Sequence, residues 1–211
     1  MKFKALVFDM DGTILYTIED LADSVNFALT ECNLPNRTLE EITNFVGNGI
    51  LKLIERAVGE KQELVQKCFE IFKEHYKNNS TNKTRAYKNS FEILSKLKEK
   101  GLKLANKIDS EVKKLSKIYF KDIFDISMGE SVNFPKKPDP ASLNEIIKIF
   151  NVKKEECLFI GDSEVDIKTA QNAGVSCLSV TWGYKTKEFL IKNKAENLCD
   201  SFEELYDFVV Q

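Results

Sequence analysis

The chain has no cysteine pair at C-x-x-C spacing, no long apolar run, no excess of charge of either sign and a single histidine. Each absence removes a class of protein. Its five cysteines (Cys32, Cys68, Cys157, Cys177, Cys199) are far apart and odd in number. They suit a reducing compartment and free, mostly buried thiols rather than a disulfide framework. Nowhere do the roughly 18 apolar residues of a spanning helix run together, and the run from Ala5 to Phe8 breaks at Asp9, too short for a signal-peptide core. No membrane partner and a cytoplasmic location are therefore expected. With 31 basic and 33 acidic residues the net charge is -2, which gives no electrostatic footprint for nucleic acid. His75, in the stretch FKEHYKNN, reads as a solvated residue at the end of a helix rather than a catalyst.

What is present is a series of short apolar runs with helical stretches between them, the pattern of parallel strands covered on both faces by crossover helices. Strands are expected at residues 4–8, 102–105, 124–128, 157–161 and 177–181. Just over ninety residues of the 211 separate the first two, and that gap shows apolar residues at three- and four-residue spacing with no convincing strand. The expectation is a doubly wound parallel α/β core, residues 1–15 and 82–211, with an inserted helical cap, residues 16–81. The return segment KNNSTNKT, residues 77–84, carries no apolar residue and reads as a solvated hinge. Arg56 stands four residues before Glu60, as a surface pair would. In a cap it could instead meet a substrate carboxylate. The stretch VGNG either starts a helix at Asn48 or forms a loop closing over the substrate.

In open parallel sheets, ligands bind beyond the carboxyl ends of the strands. The first strand runs into DMDGT, placing Asp9 at its end and Asp11 two residues on. A turn would account for both acids, but a second cluster, GDSEVD, puts Asp162 just past another strand and Asp166 in the first turn of the next helix. Carboxylates gathered at one sheet edge repel each other unless a hard cation neutralises them, and magnesium suits such a set. Asp166 also completes a capping box with Ser163, so capping and metal support are both open to it. In KKPDP, Asp139 can cap a helix beginning at Pro140, and Lys137, two residues earlier, could reach the same crevice and hold a phosphate oxygen.

DMDGT, the lysine of KPDP and GDSEVD, in this order and with a helical insert after the first, resemble the haloacid dehalogenase superfamily of phosphatases over essentially the whole chain. FVGNGILKLIERAV and VTWGYKTKEFL carry a closer likeness, to its phosphoglycolate phosphatase branch. The resemblance implies a magnesium-dependent phosphomonoester hydrolase acting on a small phosphorylated metabolite. By it Asp9 is the nucleophile that forms an aspartyl-phosphate, Asp11 the general acid and base, and Asp9, Asp11 and Asp162 the magnesium ligands, with Asp166 in support. Gly12, Asn106 and Lys137 would bind phosphate, Gly12 by letting the backbone come close. A phosphomutase of the same superfamily is the alternative.

The pattern is broken in one place. Such phosphatases carry Ser or Thr at the end of the second strand, ahead of Asn and often Lys, whereas LKLA here passes straight into Asn106 and Lys107. About three residues, two apolar and one hydroxylic, are wanting. The expectation is that they are missing from the chain at Ala105–Asn106, leaving a Cα gap of up to about 13 Å with Asn106 beside Asp9, where a bonded pair would lie about 3.8 Å apart. A bonded pair would instead mean a truncated site, as in a non-catalytic binding protein on a degenerate core. Tyr16 also replaces a frequent acid near the cap junction.

Overall fold

The β1 strand, Ala5–Asp9, is apolar on both sides because both of its faces are covered. Ala5 and Val7 enter one buried cluster while Leu6 and Phe8 enter another. The computed structural model describes residues 1–47, 49–108, 113–129 and 134–211, so the expected helix start at Asn48 lies outside the described residues. Around β1 the sheet is completed by β4 (Lys103–Ile108), β5 (Ile126–Gly129), β6 (Cys157–Gly161), β7 (Ser176–Val180) and β8 (Leu198–Cys199) in the order β5-β4-β1-β6-β7-β8. Every neighbouring pair is parallel. The order reverses at β1, whose flanks are β4 and β6, and the crevice of an open α/β sheet lies beyond such a point.

Helices cover both faces. On one, α5 (Ser90–Glu99), α6 (Lys113–Phe120) and α10 (Phe202–Val210) supply Leu94, Leu97, Phe120, Phe202 and Leu205 to the Leu6 and Phe8 cluster. On the other, α7 (Ala141–Phe150) and α8 (Glu164–Ala173) supply Leu143, Ile146, Ala170 and Ala173 to the Ala5 and Val7 cluster. This is the expected doubly wound fold, with β6 where it was foreseen, the other strand limits moved by one to three residues, and β8, two residues long, added at the edge. The α7 helix begins at Ala141, one residue after the position foreseen, and Asp139 Oδ1 accepts the Ala141 N–H at 2.8 Å. The cysteines are free; all are buried but Cys177, which is half-buried.

The expected break in the chain does not exist. The β4 strand runs unbroken, and its register with β1 passes through Val7↔Ala105, Phe8↔Asn106 and Asp9↔Lys107 without interruption. Strand alternation then decides where Asn106 goes. Ala105 joins the Ala5 and Val7 cluster, while Asn106 is turned to the opposite face, fully buried, and donates from Nδ2 to Ser116 Oγ at 2.8 Å. A side chain held in the core in this way has its amide nitrogen committed to Ser116.

The chain divides into two compact units, Met1–Leu15 with Ala86–Gln211, and Tyr16–Arg85. Both crossings between them fall in a two-stranded ribbon of β2 (Leu15–Tyr16) and β3 (Arg85–Ala86). The second unit contains α1 (Ile18–Glu31), α2 (Leu39–Phe45), α3 (Ile50–Val58) and α4 (Val65–Asn79). Leu21, Val25, Ala28 and Leu29 of α1 and Cys68, Phe72 and Tyr76 of α4 are buried at three- to four-residue spacing where these helices pack. Thr38 and Glu41 form a capping box at the start of α2.

Several residues of this unit depart from expectation. The return segment is not wholly solvated: buried Asp20 accepts the backbone N–H of Lys83 and of Thr84, at 2.9 Å and 2.8 Å. The Arg85 guanidinium lies over the Tyr16 ring, 4.0 Å from its centroid. His75 faces Ser24 Oγ across 2.9 Å and stacks on Phe27 with ring centroids 4.2 Å apart, so its role is packing. Arg56 donates to the Phe45 carbonyl.

Candidate active site

The site is assembled by three chain segments that leave the sheet at its carboxyl edge. The first follows β1. The Met10 carbonyl accepts the N–H groups of Thr13, Ile14 and Leu15 at 3.2, 3.0 and 3.0 Å, a turn that carries Asp11 away from the strand axis. Gly12 adopts φ +79°, in the region open to glycine, and a Cβ there would come within 2.3 Å of Asp162 Oδ2. The second segment follows β6, where Asp162 is 3% exposed and Asp166 fully buried. The third precedes α7 and brings Lys137 in: its Nζ donates to Asp9 Oδ1 at 2.6 Å and to Asp166 Oδ1 at 2.5 Å. Lys137 thus bridges a strand end and a helix start that are 157 positions apart in sequence number, Asp9 and Asp166.

Carboxylate oxygens of Asp9, Asp162 and Asp166 lie within 4.8 Å of one another. Asp166 takes the capping role open to it, Oδ2 accepting from Ser163 N (3.1 Å) and Oγ (2.6 Å), while its other oxygen, Oδ1, meets Lys137. Asp162 Oδ2 accepts the Tyr184 N–H at 2.7 Å. Gly183 must be glycine for the same reason, since a Cβ there would lie 2.2 Å from Asp162 Cβ.

Three acids face one lysine in a space largely shut off from water, and their ionisation shows the imbalance. Burial pushes the Asp9 carboxyl up to about 7, Lys137 opposing this and Asp166 adding to it. Burial, with Asp166 and Asp9 close by, also holds Asp162 well above the ordinary carboxylate range. For Lys137 burial acts against the charge, yet Asp166 and Asp9 outweigh it and raise its pKa. Such an arrangement is short of positive charge. The donors are hard oxygens, and a divalent cation such as magnesium fits the deficit.

Of the residues singled out in the sequence, Asp9, Gly12, Lys137, Asp162 and Asp166 converge at this edge, Asp11 stands in the turn beside them, and the Asn106 amide nitrogen is held by Ser116. Sequence reasoning missed the segment after β7. Trp182 packs on Phe202 at 4.8 Å between ring centroids, as a residue at a strand end would, but its Nε1–H also donates to the Thr13 carbonyl at 3.0 Å. The signal available was the position of WGY, directly after a strand of the same sheet.

The family model of haloacid dehalogenase-like hydrolases matches residues 6–180. The chain belongs to that family. Within it, the likeness is to phosphatases: it is 32% identical over 224 residues to the phosphoglycolate phosphatase of Psychrobacter arcticus, spanning 100% of this chain and 97% of that one. It is 35% identical over 217 residues to that of Haemophilus influenzae, spanning 97% of each. The crystal structure of a predicted phosphoglycolate phosphatase from Haemophilus somnus superposes with a TM-score of 0.92 at 28% identity, covering 100% of this chain and 99% of that one. No helix among the described residues is long and apolar enough to cross a membrane.

Proposed function

We propose that this phosphatase is a magnesium-dependent phosphomonoester hydrolase that works through an aspartyl-phosphate on Asp9, with a small phosphorylated metabolite of the phosphoglycolate kind as its substrate and the Tyr16–Arg85 unit as its cap. The observation that carries the reading is the convergence of Asp9, Asp162, Asp166 and Lys137 at the carboxyl edge of β1 and β6.

Asp9 attacks phosphorus through a carboxylate oxygen; the O–P bond forms as the bond to the leaving oxygen breaks. Asp11, which the turn carries off the strand, gives its proton to that oxygen, then as carboxylate takes one from the water that attacks phosphorus and frees Asp9. Lys137 holds Asp9 in place through one N–H and lends its charge to the incoming phosphate, and the Gly12 backbone, kept bare of a Cβ, lets the turn amides approach the phosphate oxygens. Asp9 and Asp162 would hold magnesium, with the Asp11 carbonyl, and the ion supplies neutralisation of the carboxylates and of the charge on the transferring phosphoryl group. Asp166, anchored on Ser163, keeps Lys137 aimed.

Hydrolysis of p-nitrophenyl phosphate in magnesium, compared with the same protein in EDTA, tests the cofactor, and Asp9→Asn tests the nucleophile. Full turnover by Asp9→Asn ends the proposal. One observation favours a second reading, a binding protein without turnover: β4 is continuous, and the hydroxyl residue expected ahead of Asn106 is not in the chain. Absence of magnesium-dependent hydrolysis by the full chain, across a panel of small phosphomonoesters, would select it.

A further inference from the structure

We infer that Trp182 is a positioning residue for the proton donor, an assignment that rests on the reading of Asp11 as general acid. Trp182 acts through the turn: its indole N–H is bound to the carbonyl of Thr13, a residue that is itself fully buried, two positions from Asp11.

Five further contacts make this bond the end of a rigid strut. The next two residues, Gly183 and Tyr184, are locked to Asp162, one by the absence of room for a Cβ and the other by its N–H on Oδ2 at 2.7 Å. The Tyr184 ring also lies where a Cβ on Gly12 would meet it, at 3.0 Å. The indole is seated by Phe202 and Tyr87, with ring centroids 4.8 and 6.4 Å away. One three-residue segment after β7 therefore fixes both the acid that follows β6 and the turn that follows β1. The Asp11 turn does take internal support from the Met10 carbonyl, but that support sets its shape, whereas the indole sets its place relative to Asp162. A general acid is useful only if its proton lies along the line of the leaving oxygen.

The test exploits leaving groups. Protonation matters most for a basic leaving oxygen and least for p-nitrophenolate, so kcat/KM is measured across substituted phenyl phosphates in magnesium. Two variants remove the indole N–H: Trp182→Phe, and replacement of the indole by benzothiophene through residue-specific incorporation, which alters this position alone because the chain has one tryptophan. The second keeps the shape and guards against misfolding of the first. Both should lose about tenfold more kcat/KM on phenyl phosphate than on p-nitrophenyl phosphate, steepening the dependence on leaving-group pKa. Asp11→Asn should steepen it at least as much, and adding Trp182→Phe to that variant should steepen it no further. Phe202→Leu, which loosens the indole's seat and keeps its N–H, should lower thermal stability and steepen the slope less than removal of the N–H does. The ratio between substrates is independent of how much protein is folded, so a merely structural role for Trp182 predicts equal losses on both esters, and that result overturns the assignment. If the unaltered chain hydrolyses neither ester, the phosphatase reading fails first and this one with it; if it hydrolyses both and the slopes of parent and variants coincide, only this one fails.

Discussion

Replacing Lys137 by Met should destabilise the α/β unit by an amount that depends steeply on pH. The lysine side chain is 19% exposed and makes two charge-assisted hydrogen bonds, at 2.6 and 2.5 Å, to Asp9 and Asp166. Taking away one partner of a buried ion pair costs about 3–5 kcal/mol when the abandoned charge must stay ionised. Here it need not. The Asp9 carboxyl already titrates at about 7, so at pH 5.5 it is mostly neutral and surrenders little when the ammonium goes. The sign follows from linkage: a carboxyl whose folded pKa lies above its unfolded value favours folding at low pH, and that contribution is lost as pH rises through the folded value. Lys137 lowers the Asp9 value, so its removal raises it further, each unit being worth about 1.4 kcal/mol. In EDTA, Lys137→Met should cost about 3 kcal/mol at pH 8, or about 6–12 °C in midpoint for a chain of this length, and about 1 kcal/mol at pH 5.5. Thermal and urea melts followed by circular dichroism at the two pH values measure this. An equal penalty at both, or a larger one at pH 5.5, would show that Asp9 does not carry the pH dependence and would undo the electrostatic account of the site.

Three more outcomes are expected. Magnesium at a hundredfold excess over its Kd should stabilise the protein by about 2.7 kcal/mol, with a smaller gain at pH 5.5 than at pH 8 because protons compete for Asp9 and Asp162; Asp162→Asn should abolish most of the gain in differential scanning fluorimetry. Gly183→Ala, whose methyl group would overlap Asp162, should lower kcat/KM at least tenfold, and an alanine variant with full activity would mean that the 182–184 segment yields freely. Asn106→Ala should cost about 1–2 kcal/mol in urea titrations through loss of the bond to Ser116, with KM for phosphate esters unchanged; a tenfold rise in KM would place Asn106 in the phosphate site.

The parts of the fold that could be read from the sequence are those where burial is two-sided and continuous. ALVFD and CLFIG announce β1 and β6 because every residue of each but the last of β1 must be buried. The two-residue β8 has no pattern long enough to read. At the site, acid types at strand ends could be recognised one by one, but the joint grip of Lys137 on Asp9 and Asp166 depends on which strands adjoin, and that is a property of the sheet order. The register of β4 was hidden for the same reason: whether Asn106 faces the core or the crevice turns on a single-residue shift against β1, which local sequence does not fix. Backbone donors such as the Tyr184 N–H leave no trace in residue type, so the support of Asp162 could not be foreseen from residue identities.

The narrow ribbon of β2 and β3 has a consequence for how such a chain can be rebuilt. Adjacent strands lie about 5 Å apart, so the insert departs from and rejoins its host at what amounts to a single point. Residues 17–84 could be excised and the ends closed by a two- or three-residue turn, or another helical segment spliced in, without altering any pairing in the six-stranded sheet. In genetic terms the edge of the sheet is encoded on either side of the insert, Asp9 before it and Lys137, Asp162 and Asp166 after it.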